Sequence, residues 1–340
     1  YYENQAITYW RNKSMYMQGL LALGLHRKGT DKETPKKIVV AAKENSLNNE
    51  EMGMYWKYPS GYFWYELPIE THALMIEVFQ VVAEDKQAVD DLKVWLLKAK
   101  QTTHWKTTKA TAAACYSLLM TGDNWLLDDQ EIEITLGGKK LDQSNMKKEA
   151  GTGYFKTTWE ADQIKNEMAN ITVKNPNNVV AWGAMYWQYF ENLDKITHFK
   201  DTPLKLNKKL FKQINTDRGL VLKPIENEKL VPGDLVKVRI ELTVDRDMEY
   251  VHMKDMRAAG FEPNNVISQY KYQGGLGYYE STRDASTNFF FGYLSKGTYV
   301  FEYGLTVNHK GDFSNGITTI QCMYAPEFTA HSEGVRVKVE

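Results

Sequence analysis

The chain has 340 residues, with 42 Lys and Arg against 43 Asp and Glu and a formal net charge of -1. That balance excludes a global basic field for nucleic acid or an anionic membrane surface. Hydrophobic residues make up 43% and charged residues 25%, which fits a folded globular protein rather than a disordered one. No apolar run approaches the roughly 18 residues of a membrane-spanning helix. Length alone allows about two or three domains. Composition shifts near residue 125: residues 1–125 hold six of the nine Trp but only six of the 23 glycines. Few glycines among apolar stretches predict helices, and many between short runs predict strands and turns.

The first part reads as helical hairpins in series rather than a long-heptad bundle. Met17, Leu20, Leu21 and Leu25 fall at helical spacing, with Gly29 placed as a C-terminal stop. Thr34 and Pro35 predict the next start, with Pro at the first helical position and Ile38, Val39 and Ala42 behind it. A third helix begins near Pro68 and carries Ile69, Ala73, Ile76 and Gln80. A fourth presents Val89, Leu92 and Leu96, and a fifth, capped near Thr107 or Thr108, presents Ala110, Ala114 and Leu118. Met52–Tyr65, rich in aromatics, reads as a structured loop.

The second part reads as strands. Ile132, Ile134 and Leu136 alternate with polar residues; so do Val236, Val238, Ile240, Leu242 and Val244, then Tyr299 to Val307, then Val335, Val337 and Val339. Such alternation means one buried and one solvated face. Val179–Tyr189 is apolar on both faces and reads as a central strand or as a segment between layers. A joint is expected at Asp201-Thr202-Pro203, giving two β modules. The opening Tyr1-Tyr2-Glu3 and the closing strand pattern read as a piece of a longer protein, so a missing targeting signal says nothing about location.

A search for chemistry returns little. Gly274-Gly275-Leu276-Gly277 lacks the context of a dinucleotide fingerprint and reads as a β-turn. There is no G-x-S-x-G elbow, Walker loop or HExxH helix. His26, His72, His104, His198, His252, His309 and His331 are scattered without metal spacing. Glu66, Glu70 and His72 could form a ligand set or an acid pair; first-turn acids favourable to the helix dipole are the better reading. Cys115 and Cys322 form no disulfide framework or metal knuckle, and each is expected unpaired and buried. Tyr55, Trp56, Tyr58, Tyr62, Phe63, Trp64 and Tyr65 form either a stacking platform for sugars or the packed end of the helical array.

Several segments, taken in order, resemble the bacterial alpha-2-macroglobulin family. Ile69-Glu70-Thr71-His72-Ala73-Leu74, Val94-Trp95-Leu96-Leu97 and Trp105 to Ala114 resemble helices late in that family's thioester domain. Gly233-Asp234-Leu235-Val236 resembles the G-D-x-V opening of its last macroglobulin-like domain. Asp255 to Glu262 resembles D-x-L-P-A-G-x-E, with Arg257 and Ala258 where Leu and Pro are usual. Arg283-Asp284, Tyr299 to Tyr303, Gly311-Asp312-Phe313 and Met323 to Glu327 follow in the family's order. The series covers roughly residues 70–340.

The resemblance implies a multidomain fold, α then β: part of an α/α toroid over 1–127, a CUB-like β module over 128–202 and a terminal macroglobulin-like antiparallel β-sandwich over 203–340. It implies the C-terminal scaffold of a broad-spectrum protease inhibitor, periplasmic or in the cell envelope, monomeric, with target proteases as partners of the longer parent and no nucleic acid. The family's C-x-E-Q thioester motif is absent: Cys115 is followed by Tyr116-Ser117-Leu118 and Cys322 by Met323-Tyr324-Ala325. No catalytic, cofactor-binding or metal-binding residue is therefore assigned, and the chain is expected not to be an enzyme. The rival is a polysaccharide lyase-like or glycan-binding toroid with β-sandwiches. Such a lyase needs a base and cationic groups to neutralise a uronate, and residues 1–125 hold only Arg11 and Arg27 as arginines.

Overall fold

The computed structural model describes residues 1–58, 63, 65–120, 131–149, 153–177, 181, 183–197 and 202–340. The chain divides into two compact units, 1–98 with 105–183, and 99–104 with 184–340.

The helices are α1 (Tyr2–Tyr9), α2 (Met15–Lys28), α3 (Glu33–Glu44), α4 (Pro68–Val78), α5 (Lys86–Thr102) and α6 (Thr108–Met120). Each boundary has a local cause. The Ser14 hydroxyl accepts the Met17 N–H at the start of α2, and Gly29 ends it in the left-handed region at φ 75°. Asp31, not Thr34, opens α3: its carboxylate accepts the N–H groups of Glu33 and Thr34, so Pro35 falls third in the helix rather than first. Pro68 is the first residue of α4, and the Thr107 hydroxyl accepts the Ala110 N–H to open α6. The core gathers Ile38, Met75, Ile76, Phe79, Val89, Leu92 and Leu96, all essentially inaccessible.

The buried face of α2 differs from the expected one. Gly19, Ala22, Leu23 and Leu25 are inside, while Met17 and Leu20 are exposed. One reason is the close approach of α4: a Cβ on Gly19 would stand 2.9 Å from Leu74 Cδ2, so no larger side chain fits at that position. Cys115 is likewise corrected. The interior side of α6 is Ala110, Ala114 and Ser117, and Cys115, about 100° further round the helix, is exposed.

A strand pair and a three-stranded sheet also lie in the first unit. β1 (Leu47–Asn49) pairs with β2 (Gly53–Tyr55) in the expected loop. Beyond α6, β3 (Glu133–Leu136), β4 (Lys139–Lys140) and β5 (Ile171–Lys174) form a sheet in the order β4-β3-β5. The expected central strand at 179–189 does not form: Val179, Val180 and Trp182 lie outside the described residues, and Ala181 with 183–189 are irregular, with Met185, Tyr186, Trp187 and Tyr189 exposed. An apolar run makes a strand only with ladder partners and covering layers on both faces, and this stretch pairs with no described strand.

The second unit is a two-layer antiparallel arrangement. One sheet contains β6 (Leu204–Thr216), β7 (Gly219–Pro224), β8 (Leu235–Val244), β10 (Phe261–Pro263) and β14 (Gly297–Val307), in the order β10-β14-β8-β6-β7. The other contains β9 (Met248–Met256), β11 (Gln269–Gln273), β12 (Leu276–Arg283), β13 (Ser286–Leu294), β16 (Thr318–Cys322) and β17 (Thr329–His331), in the order β11-β12-β13-β9-β16-β17. β15 (Gly311–Ser314) pairs with β18 (Arg336–Val339). The alternation read from sequence is realised: Val236, Val238, Ile240, Leu242 and Val244 of β8 are all buried, against Phe301, Leu305 and Val307 of β14 and Phe289 and Phe291 of β13. Gly274 and Gly275, both at positive φ, make the two-residue turn between β11 and β12.

Candidate functional site

In the helical unit the three residues singled out from sequence do not assemble into a site. Glu66 precedes α4 and its carboxylate accepts the Phe63 N–H at 3.1 Å. Glu70, in the first turn of α4, is buried and accepts from the Thr107 hydroxyl at 3.4 Å. His72 is fully buried between other groups. Its Nε2 lies 2.8 Å from the Leu92 carbonyl, which can only accept, so Nε2 carries the proton and Nδ1 accepts from the Tyr58 hydroxyl at 2.9 Å. Burial pulls the imidazole down to about 3 against the opposing hydrogen bond to Leu92, and burial pushes the Tyr58 phenol well above its ordinary value. A neutral His sealed from solvent and a partly buried neutral Tyr brace the array.

The aromatic cluster serves the same end where it is described. Trp56 is buried and donates its indole N–H to the Ala42 carbonyl at 2.9 Å, Tyr55 stacks on Trp95, and Trp95 lies 4.3 Å from the His72 ring. Tyr62 and Trp64 lie outside the described residues. Tyr55, Trp56 and Tyr58 thus pack against the helices, and the Glu66-Glu70-His72 group offers no shared metal or proton-transfer geometry. Among the described residues no cluster of three His, Cys, Asp or Glu could hold a metal.

The sandwich holds a cluster that the sequence reading missed. Lys208 of β6 points inward, and its Nζ stands 2.6 Å from Asp255 Oδ1 of β9, with both side chains at 0% exposure. Lys208 also donates to the Met256 carbonyl at 2.6 Å. Asp255 accepts further from the Thr318 hydroxyl at 2.6 Å and from the Tyr303 hydroxyl. Lys208 and Tyr303 belong to one sheet, Asp255 and Thr318 to the other, so these four side chains tie the two layers together. Burial draws the Lys208 ammonium below its ordinary value, and Asp255 pulls it back; burial, with the Asp255 charge, drives the Tyr303 phenol well up.

Other residues of the ordered sequence series make contacts of their own in the sandwich. Arg257 is buried, and its Nη2 donates to the carbonyls of Arg283 and Asp284 in the turn between β12 and β13. The Ala258 N–H donates to Asn315 Oδ1 at 3.0 Å. Gly260 lies under Phe313, where a Cβ would come within 2.7 Å of the ring. Asp234 accepts from Lys212 and from the Val231 N–H, both at 2.8 Å, while the Val307 N–H donates to its carbonyl. Lys208 and Asp255 are shut off from solvent, and their cluster joins the two layers.

Residues 204–327 match the family described as the bacterial alpha-2-macroglobulin MG10 domain. That segment is similar to an alpha-2-macroglobulin MG10 domain. The family resemblance read from the ordered segments is thereby borne out, and the pin formed by Lys208, Asp255, Tyr303 and Thr318 lies within the MG10 match. Both departures from the family pattern have a use in the matched segment: Arg257 holds two turn carbonyls, and Ala258 supplies an N–H that proline lacks.

Solved bacterial alpha-2-macroglobulins are similar along the whole chain. The trypsin-activated protein from Escherichia coli is 12% identical, with 99% of this chain and 22% of that one covered at a TM-score of 0.43. The Salmonella protein reacted with methylamine is 14% identical, with 99% and 21% covered at 0.33. The native Escherichia coli protein from domain MG7 to the C-terminus is 12% identical, with 99% and 52% covered at 0.33. The chain thus spans about a fifth of the full-length proteins it resembles. A comparison with curated proteins finds no match.

Proposed function

We propose that this chain is the C-terminal scaffold of an alpha-2-macroglobulin-like protease trap. The observation that carries the reading is the MG10 match at 204–327, within which Asp255 and Tyr303 of the ordered series meet in one buried cluster. In this reading the helices of 1–127 are part of an α/α toroid, 128–202 is a CUB-like module and 203–340 is the terminal sandwich. The parent works in the periplasm or cell envelope as a monomer and has proteases as its partners. The chain's contribution is mechanical: it holds a rearranging molecule together and does not turn over substrate. That no described helix is long and apolar enough to cross a membrane bears only on those residues.

The test uses a longer protein that contains this chain. It should inhibit a trypsin-like protease acting on a large substrate, and lose that inhibition when residues 203–340 are removed. The 340-residue chain alone should neither inhibit the protease nor depolymerise a uronate polymer. Polymer cleavage by the chain, abolished by a substitution within 1–125, would install the lyase reading instead.

A further inference from the structure

The outer face of the six-stranded sheet does not look like an ordinary solvated face. Register places Tyr270, Tyr279, Phe290, His252 and Gln321 in one row across β11, β12, β13, β9 and β16. Two pairs of neighbouring rings touch: Tyr270 meets Tyr279 edge-on at 5.1 Å, and His252 stacks on Phe290 at 4.7 Å. With strands spaced about 4.8 Å apart, the four rings make a ribbon about 14 Å long.

Beside the ribbon runs a trough. Gly277 pairs with Tyr272, and Gly292, between the pairs Phe291–Val251 and Tyr293–Glu249, faces Tyr250. A Cβ on Gly292 would meet nothing within 4 Å, and one on Gly277 only Tyr272 at 3.9 Å. Tyr272 and Tyr250 are exposed at the trough's ends, and Tyr250 is held at φ 54°, an uncommon conformation for a bulky residue. Backbone strain of this kind persists only where the surroundings enforce it, and it clusters at functional positions.

The chemistry of the face selects its occupant. On the ribbon, the trough and the adjoining Asn288, Lys254 and Thr319, Lys254 is the single side chain with a fixed charge. The chain's 25% average would place about three there, and the wet face of an antiparallel sheet is normally polar. A highly charged ligand finds no matching field. Nor is the face aliphatic: four of its five large rings are tyrosines, each with a hydroxyl, flanked by the amides of Gln321 and Asn288, the latter 3.0 Å from His252 Nε2. Rings for apolar contact, many hydroxyls and amides for hydrogen bonds, and near-neutrality together match a ligand with apolar ring faces and hydroxyl edges. We propose that the Tyr270–Tyr279–Phe290–His252 ribbon and the Gly277–Gly292 trough form a binding face for a neutral oligosaccharide.

The proposal is independent of the protease-trap reading and is tested on the full chain with two neutral probes, cellohexaose and the hexamer of N-acetylglucosamine, by isothermal titration. At least one should bind. Tyr279→Ala and Phe290→Ala should each weaken it about tenfold or more, Tyr279→Phe less, and Leu220→Ala, exposed on β7 of the other sheet, not at all. Unchanged thermal melts would show that the variants fold. No binding of either probe by the folded chain overturns the proposal, and so does binding that survives both alanine substitutions. If the alanine variants instead change self-association of the chain while sugar binding is absent, the face is a protein interface and the assignment is wrong.

Discussion

Removing the Asp255 carboxylate tests the account of the sandwich most directly. Asp255→Ala leaves the Lys208 ammonium at zero exposure with only carbonyl acceptors, chiefly that of Met256, and strips the Tyr303 and Thr318 hydroxyls of their acceptor. Breaking a buried pair from one side costs about 3–5 kcal/mol, and each orphaned buried hydroxyl adds to that, so a loss of at least about 4 kcal/mol is expected. A domain of ordinary stability has about 5–15 kcal/mol in total. With a urea slope near 2 kcal/mol per molar, the sandwich transition should move down by about 2 M. Lys208→Met should cost less, because Asp255 keeps two hydroxyl donors. The double variant Lys208→Met with Asp255→Ala removes both charges at once and should be more stable than the sum of the singles by about 2 kcal/mol. The measurement is a double-mutant cycle followed by urea denaturation with far-UV circular dichroism. A midpoint shift under about 0.5 M for Asp255→Ala, or additive singles, would refute the pin as a coupled unit.

Three further outcomes follow from other residues. His72 is held neutral in the folded chain down to about pH 3, whereas an unfolded His takes its proton near 6.5; stability contributed here is therefore full above 6.5 and falls as pH drops towards 3, by at most about 5 kcal/mol, and His72→Gln should flatten that slope in pH-dependent melts. A thiol reagent should label Cys115 at once in the native chain and reach Cys322 only on unfolding, since Cys322 is buried, donates to the Glu249 carbonyl and has its thiol pushed up by burial; equal labelling rates would contradict this. Restoring the family's proline with Ala258→Pro should destabilise by about 1–3 kcal/mol in the same urea assay, because the donor to Asn315 Oδ1 is lost and Asn315 Nδ2 is already without a partner among the described residues.

Where the sequence was legible, the reason is periodicity. β8 carries five inward apolar residues without a break, and Gly29 and Pro68 mark helix ends by backbone chemistry alone. β6 was not legible for a reason that is itself the finding: its inward positions read Leu204, Leu206, Lys208, Leu210, and the lysine interrupts the pattern that announces a strand. The pin was hidden by the same token, since its members come from four strands spread over more than a hundred residues. The Tyr58–His72 contact joins a loop to a helix, and Gly19 against Leu74 joins two helices; neither follows from local spacing. For Cys115 the surrounding alanines suggested burial, but a run of small apolar residues does not say which side of a helix its neighbours occupy.

The two-sheet pin also bears on how the sandwich comes apart in time. Lys208 and Asp255 are 47 positions apart and Asp255 and Thr318 are 63 apart, so their contacts require long loops to close before any stabilisation is returned. A desolvated ion pair across two layers forms only when both layers are already docked. That places its bonds on the native side of the folding barrier, where weakening them shortens the lifetime of the folded domain and leaves its rate of formation nearly unchanged. Resistance of that kinetic kind is set by the unfolding rate rather than by the equilibrium stability alone.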